Sequence, residues 1–202
     1  MKEEFLEQRN IIVIDGFFED PDAVVEYAKT LEYRGDVAGE HFERTMGMPE
    51  EYMKIALEKY LGSKVRDDRV WHETAWSNMN MSFYKTKEGT VPNHVHHDWA
   101  DYSGVLHLTK DLPSNMGTQL WKHTETGDEF AFGTNKMGWW DTWQDYDRRM
   151  DRQEEFEKTD FIAAKYNRLV LFRGQMFHSA SIPDNWNGDR LCMLLYFNME
   201  PQ

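Results

Sequence analysis

The apolar residues of this chain follow a helical repeat in its first third and a strand repeat afterwards. Residues 11–15 form a short apolar run that predicts an initial strand. Asp20-Pro21 then supplies the N-cap and first-turn proline of a helix to about Leu31, and residues 49–61 predict a second helix. Because the period then changes from about 3.6 to about 2, we expect a mostly antiparallel β domain to follow the helices.

The clearest strand alternation lies in residues 76–84. Met81 and Phe83 fall on one face of this predicted strand, whereas Asn78 and Tyr84 fall on the other. We expect the polar face to line a solvated site and the apolar face to pack on the helices. Further strands are predicted over residues 104–109, 117–122, 168–173 and 191–198.

A charged insertion at about residues 124–160 separates the predicted strands. Within it, residues 143–158 are rich in Glu, Arg and Asp and predict a surface helix with a solvated face. No internal repeat or low-complexity linker divides the rest. We therefore predict a single domain over residues 1–202, with a helical lead-in (1–70) and a β core (71–202).

The composition is that of a globular protein and excludes several classes of function. Hydrophobic residues make up 40% of the chain and charged residues 29%, so disorder is not expected. The net charge of -13 repels phosphate backbones and argues against duplex nucleic acid as a partner. No apolar stretch is long enough for a membrane span, and the lone Cys192 cannot form an internal disulfide. These features predict a soluble, cytoplasmic protein.

The densest group of metal-binding residue types is the segment 93–98, which reads Asn-His-Val-His-His-Asp. In an extended segment, residues two apart share a face, so His96 and Asp98 can contact one metal ion. A later histidine, His178, follows a buried strand and a glycine turn. Two histidines and one carboxylate form the facial triad of non-heme Fe(II) oxygenases, although a bare His-x-Asp also recurs by chance.

Arg190 opens the last predicted strand, 12 residues beyond His178 (190 − 178 = 12). An arginine at the start of a core strand is costly unless an anion lies beside it. A carboxylate could bind its guanidinium group through two parallel hydrogen bonds. The alternative is an arginine whose head group reaches solvent at the strand end.

The order of these residues resembles the 2-oxoglutarate/Fe(II)-dependent dioxygenases, nearest their prolyl-hydroxylase-like branch. The shared pattern comprises Tyr84, Gly89, His96-x-Asp98, residues 104–108, Gly117, residues 167–172, His178 and Arg190. The resemblance covers about residues 78–198. It implies a mostly β (α+β) fold, a double-stranded β-helix or cupin-like jelly-roll, with the N-terminal helices packed on its major sheet.

The resemblance also implies the roles of individual residues. His96, Asp98 and His178 would be the catalytic centre and the ligands of Fe(II). The contacts of the co-substrate 2-oxoglutarate would be Arg190, His107 and Tyr84. His107 takes the place of a tyrosine that is common in prolyl hydroxylases, which argues against a prolyl substrate. Three residues near the site are predicted substrate contacts: Asn78, Trp99 and Trp121.

The activity implied is hydroxylation of a C–H bond by dioxygen, with release of succinate and CO2 and with ascorbate as an accessory reductant. The substrate would be a peptide side chain, an amino acid or a small metabolite. Related halogenases replace the carboxylate ligand with a small residue, so Asp98 favours hydroxylation.

Three alternatives remain open at the level of sequence. A zinc hydrolase could use the same three ligands, but Arg190 and His107 would then have no assigned role. A cupin metal site could use His94, His96 and Asp101, but its acidic position would be Asp instead of Glu, and the Pro-x-Gly motif is missing before His178. A metal-free β-sandwich that serves as a binding module would instead leave the histidines without a chemical role.

Overall fold

The computed structural model describes residues 11–35, 42–46, 51–66, 80–86, 94–98, 100–131, 153–184, 186 and 188–200. In this part of the chain the elements are β1 (Ile12–Asp15), α1 (Pro21–Lys29), β2 (Arg34–Gly35), β3 (Phe42–Arg44), α2 (Glu51–Leu61), β4 (Ser82–Thr86), β5 (Tyr102–His107), β6 (Gly117–His123), a 3-10 turn (Gln153–Glu155), β7 (Phe156–Ala163), β8 (Arg168–Arg173), β9 (His178–Ser181) and β10 (Arg190–Phe197). None of the helices in these ranges has the length and apolar character that a membrane crossing requires.

The strands form two antiparallel sheets. The large sheet has seven strands in the order β1-β8-β5-β10-β4-β3-β2, and the small sheet has three in the order β7-β6-β9. In the large sheet Cys192 of β10 pairs with Tyr84 on one side and with His107 on the other. Because directly paired residues project to the same face, these three side chains form one row across the sheet.

The two helices cover the outer face of the large sheet, as predicted. Asp20 caps α1, since its Oδ1 accepts a hydrogen bond from Ala23 N at 3.0 Å. The buried side chains Ala28 of α1 and Met53 of α2 pack with Phe83 of β4 in one core cluster. This packing confirms that the apolar face of the 76–84 segment is turned toward the helices where that segment is described.

The inner face of the large sheet packs on the small sheet. Leu120 of β6 contacts Val170, Phe172 and Met176 in a buried cluster. The alternation of β8 explains this arrangement, because Leu169 and Leu171 lie in the helix-side cluster instead.

The prediction of a helix over residues 143–158 is wrong for residues 153–158, which are the part of this segment that the structure describes. Gln153–Glu155 form a single 3-10 turn, and β7 begins at Phe156 and pairs with β6. The helical propensity of Glu and Lys is weak, and pairing with the edge of β6 overrides it by satisfying the backbone hydrogen bonds. Glu157 still reaches the surface, where it forms an ion pair with Lys122 at 2.8 Å.

The segment 76–84 also differs from its prediction where it is described. The strand begins at Ser82, because Asn80 and Met81 form a turn in which Met81 adopts a φ of 54°. It continues beyond Tyr84 to Thr86. Besides β7, three strands in the described part of the chain were not predicted, β2, β3 and β9, and each of these three has four residues or fewer. Such runs are too short for alternation to be recognised.

Candidate active site

Three side chains with metal-binding atoms converge at one end of the space between the sheets. The possible ligand atoms of His96, Asp98 and His178 all lie within 4.8 Å of one another. An isolated β-bridge brings the histidines together: His96 N donates to His178 O at 2.9 Å, and His178 N donates to His96 O at 2.8 Å. Asp98 is held by a separate bond from its backbone N to Gly174 O, at 2.7 Å.

The backbone determines which ring nitrogen each histidine offers to the site. Nδ1 of His96 lies 2.9 Å from His94 O, and Nδ1 of His178 lies 2.8 Å from Met176 O. A carbonyl oxygen can only accept a hydrogen bond, so each Nδ1 carries the proton. In the neutral rings Nε2 therefore keeps its lone pair, which is the arrangement that metal-binding histidines commonly show.

The electrostatics of the cluster favour the protonation states that a metal ion needs. Burial, together with the neighbouring His178, lowers the pKa of His96 to about 4. Burial by itself would raise the pKa of Asp98, but His178, His96 and a 2.5 Å hydrogen bond from Ser103 Oγ outweigh it and lower that pKa to about 2. Near neutral pH the site thus combines a neutral imidazole with a carboxylate.

The glycine turn before β9 packs tightly against the segment that carries Asp98. Gly174 N donates to Asp101 O at 3.1 Å, and Gln175 Nε2 donates to Ala100 O at 2.9 Å. A Cβ atom on Gly174 would lie only 2.2 Å from Ala100 O, so a larger residue would push the two segments apart. This close approach requires glycine.

We expect Gly174→Ala to lower the free energy of unfolding by about 1–3 kcal/mol, which is typical of overpacking. Gly35→Ala is the matched control, because nothing lies within 4 Å of the Cβ atom that it would add. Urea denaturation of both variants measures the difference. Equal stabilities would contradict the close approach at Gly174.

A cavity of about 270 Å³ lies between the sheets and reaches from the three-residue cluster to Arg190. This volume is close to the lower end of the range of ligand pockets, about 300–1,000 Å³. Arg190 is 5% exposed, and its Nε has no hydrogen-bond partner among the described residues. A buried guanidinium group in this state is stabilised when an anion binds it.

Residues 2–190 match the model of a family described as "Family of unknown function (DUF6445)". The chain belongs to this family. No curated protein matches the sequence.

Several solved structures share the fold of this DUF6445 protein at low sequence identity. HygX from Streptomyces hygroscopicus, crystallised with nickel, 2-oxoglutarate and hygromycin B, has a TM-score of 0.56 and 10% identity, over 96% of this chain and 85% of its own. A prolyl-4-hydroxylase from Pseudomonas putida has a TM-score of 0.54 and 12% identity, over 98% and 97%. The epimerase SnoN of nogalamycin biosynthesis has a TM-score of 0.57 and 12% identity, over 95% and 78%. These likenesses confirm the predicted double-stranded β-helix fold.

The structure separates the predicted co-substrate residues of the DUF6445 chain into two groups. Tyr84 and Arg190 line the cavity, whereas His107 does not and is 0% exposed. Neither ring nitrogen of His107 has a hydrogen-bond partner among the described residues. Burial lowers the pKa of His107 well below its usual value, and the charges of Arg190 and Arg168 add to this effect. His107 is therefore a fully buried, neutral ring in the same row of the sheet as Tyr84 and Cys192, and the charge of Arg190 acts on it.

Of the predicted substrate contacts, only Trp121 falls on a described residue; Asn78 and Trp99 lie outside the described ranges. Trp121 does not line the cavity and packs in a separate cluster that includes Val95 and Phe177. Its Nε1 donates to Ser179 Oγ at 2.9 Å. The Trp121 side chain therefore packs in a buried hydrophobic cluster and does not reach the cavity.

The extra ligands that a cupin site would need are not part of the cluster. His94 is exposed. The Asp101 carboxylate accepts a hydrogen bond from Met199 N at 2.9 Å and lies 3.9 Å from Arg173. Ser103 is a site residue that the sequence analysis did not predict. It shares the inward face of β5 with Val105, and both residues line the cavity. Strand alternation was the signal that could have placed it there.

Proposed function

We propose that this protein is an oxygenase that depends on Fe(II) and 2-oxoglutarate. The observation that carries the proposal is the convergence of His96, Asp98 and His178 at one end of a cavity whose wall also holds the buried Arg190, with its Nε lacking a hydrogen-bond partner among the described residues. The donor set fits iron, since two imidazoles and one carboxylate are typical of non-heme Fe(II) sites. The bound nickel and 2-oxoglutarate of HygX, and the bound Fe3+ and alpha ketoglutarate of SnoN, support the proposal by analogy.

His96, Asp98 and His178 would hold the iron through Nε2, a carboxylate oxygen and Nε2. The backbone carbonyls accept the Nδ1 protons of both histidines, which leaves each Nε2 to face the metal. Ser103 would orient the Asp98 carboxylate through its hydrogen bond to Oδ2. Three protein ligands would leave the remaining positions for small molecules.

Arg190 would bind the distal carboxylate of 2-oxoglutarate, with Tyr84 beside it in the cavity wall. The buried guanidinium group would form charge-assisted hydrogen bonds with this carboxylate, and its Nε, which has no partner among the described residues, would gain one. His107 would assist from the same face of the sheet as Tyr84, since its neutral ring can donate a hydrogen bond while adding no charge beside Arg190.

The reaction we propose is hydroxylation of a C–H bond in a peptide side chain, an amino acid or a small metabolite. Bound iron and 2-oxoglutarate would supply the activation of dioxygen, with succinate and CO2 as co-products and ascorbate as an accessory reductant. The protein would bind, orient and shield the reactants from water. A reducing cytoplasm suits both Fe(II) and the free thiol of Cys192.

The test is turnover of 2-oxoglutarate by the purified protein with Fe(II) and ascorbate. Succinate is quantified first without added substrate and then with pooled amino acids, peptides and metabolites, and mass spectrometry identifies any compound that gains one oxygen atom. Succinate formation that depends on iron and increases with one pool supports the proposal. A protein that binds neither metal nor 2-oxoglutarate would be a metal-free binding module instead.

We expect Asp98→Ala to abolish formation of the hydroxylated product, because the negatively charged ligand that balances the metal is lost. Ser103→Ala is a matched variant that leaves the carboxylate in place and removes only its hydrogen-bond donor. Its effect should be smaller, about 10–100-fold in metal affinity or activity. The products formed in chloride buffer are analysed as well. A chlorinated product from the wild-type protein would contradict hydroxylation.

A further inference from the structure

A pair of arginines lies on the cavity face of the large sheet, at its β2 edge. Arg44 of β3 pairs directly with Tyr84 of β4 and, on its other side, with Arg34 of β2. Directly paired residues of antiparallel strands project to the same face. Because Tyr84 lines the cavity, Arg44 and Arg34 extend the cavity face of the sheet beyond it.

The described residues do little to neutralise the charges of this arginine pair. Arg44 is half-buried, and within the described ranges it forms no ion pair with a carboxylate. Arg34 is exposed and meets Glu32 only at 3.6 Å. Like charges directly opposite each other destabilise a strand pair, so folding alone does not explain two arginines in this register. An anion between or beside them would remove the repulsion.

The register places Arg44 beside the middle of the cavity wall. Its partner Tyr84 pairs with Cys192 of β10, and Tyr84 and Cys192 both line the cavity. Tyr196, which lines the cavity together with Asp98, lies four residues beyond Cys192 on β10. Arg190 occupies a different position, because it pairs with Thr86, two residues beyond Tyr84 on β4.

The negative net charge of the chain supports a ligand-binding role for this pair of arginines. The chain has 36 acidic and 23 basic residues, so its long-range field repels anions. An anionic ligand would need a local cationic contact to bind such a protein. Arginine suits that task, because its planar fork binds carboxylate or phosphate oxygens through two hydrogen bonds.

We propose that Arg44, assisted by Arg34, binds an anionic group of the substrate, either a carboxylate or a phosphate. This inference rests on the proposed function, since it places the substrate beside the triad while Arg190 holds 2-oxoglutarate. The substrate is accordingly an acid, such as a free amino acid, an acidic metabolite or a phosphate ester. In this arrangement Arg44 binds the oxyanion of the substrate, and the rest of the substrate molecule extends toward the cluster of His96, Asp98 and His178.

The test measures binding and does not depend on turnover. Zinc-substituted protein saturated with 2-oxoglutarate is titrated by ligand-observed NMR with two matched probe pairs: N-acetylalanine against its methyl ester, and phenyl phosphate against phenol. The first pair reports on carboxylates and the second on phosphates. We expect the charged member of at least one pair to bind about 10–100-fold more tightly than its neutral partner, the range for hydrogen bonds to charged groups.

Arg44→Gln should remove this preference and leave the affinity for 2-oxoglutarate unchanged, because Arg190 is intact. Arg34→Gln should reduce the preference by a smaller factor. Arg66→Gln is the matched control, since Arg66 is exposed and does not line the cavity. Its probe affinities should equal those of the wild-type protein.

Two outcomes separate this inference from the proposed function. If the wild-type protein binds zinc and 2-oxoglutarate but prefers neither charged probe, or if the preference survives Arg44→Gln, the inference is wrong and the proposed function stands. If the protein binds a charged probe through Arg44 but does not bind 2-oxoglutarate, the anion site is supported and the proposed function fails.

Discussion

Alanine at either His96 or His178 is expected to abolish stoichiometric binding of Fe(II), or of Mn, Co or Ni as substitutes. Each substitution removes one of the three ligands that we propose for the metal. Loss of a residue that only orients a ligand typically costs about 10–100-fold in metal affinity, so loss of a ligand itself should exceed about 100-fold. Metal content by mass spectrometry and anaerobic titration measure the effect.

His94→Ala is the matched control for these variants. The His94 side chain is exposed, and only its backbone carbonyl contacts His96, so the substitution keeps the bond to Nδ1. Metal content should remain that of the wild-type protein. Circular dichroism of each variant verifies that the β fold is retained. Folded His96→Ala and His178→Ala proteins with undiminished metal content would refute the triad.

Arg190→Met is expected to weaken 2-oxoglutarate binding about 100-fold. The substitution would remove the two charge-assisted hydrogen bonds that we propose, for a loss of about 3 kcal/mol, and about 1.4 kcal/mol corresponds to a factor of ten. The affinity of the Arg190→Lys protein for 2-oxoglutarate should lie between those of the wild-type and Arg190→Met proteins. Lysine keeps the positive charge but lacks the two parallel N–H donors of the guanidinium group. His107→Phe should reduce the binding free energy of 2-oxoglutarate by less, about 1 kcal/mol, since it would remove one hydrogen bond from a neutral ring.

The measurement is a titration of the anaerobic Fe(II) protein with 2-oxoglutarate, followed through the visible metal-to-ligand band of the bound co-substrate. Iron affinity should stay near that of the wild-type protein, because none of these residues belongs to the metal cluster. Arg66→Met controls for the loss of a guanidinium group elsewhere on the surface. An Arg190→Met protein that titrates like the wild type would show that Arg190 does not bind the co-substrate.

Local sequence determined the features that depend on strand or helix period. The capping residues and apolar repeat of α1 predicted its start correctly, and the alternation of β4 correctly assigned Phe83 to the helices and Tyr84 to the cavity. The grouping of His96 with Asp98 follows from the same rule, since residues two apart in an extended segment share a face. These features need only a few neighbouring residues.

Long-range pairing decided the rest. Residues 156–158 became strand because β6 offered an unpaired edge, and charge composition carries no information about that edge. Trp121 faces away from the cavity, beside a shift in the pairing of β6 with β7 between Gln119 and Trp121, and a sequence does not reveal such a shift. The row that aligns Arg34, Arg44 and Tyr84 likewise joins three strands that are distant in sequence. Strand register depends on which segments meet in the folded chain, so tertiary structure alone places these side chains together.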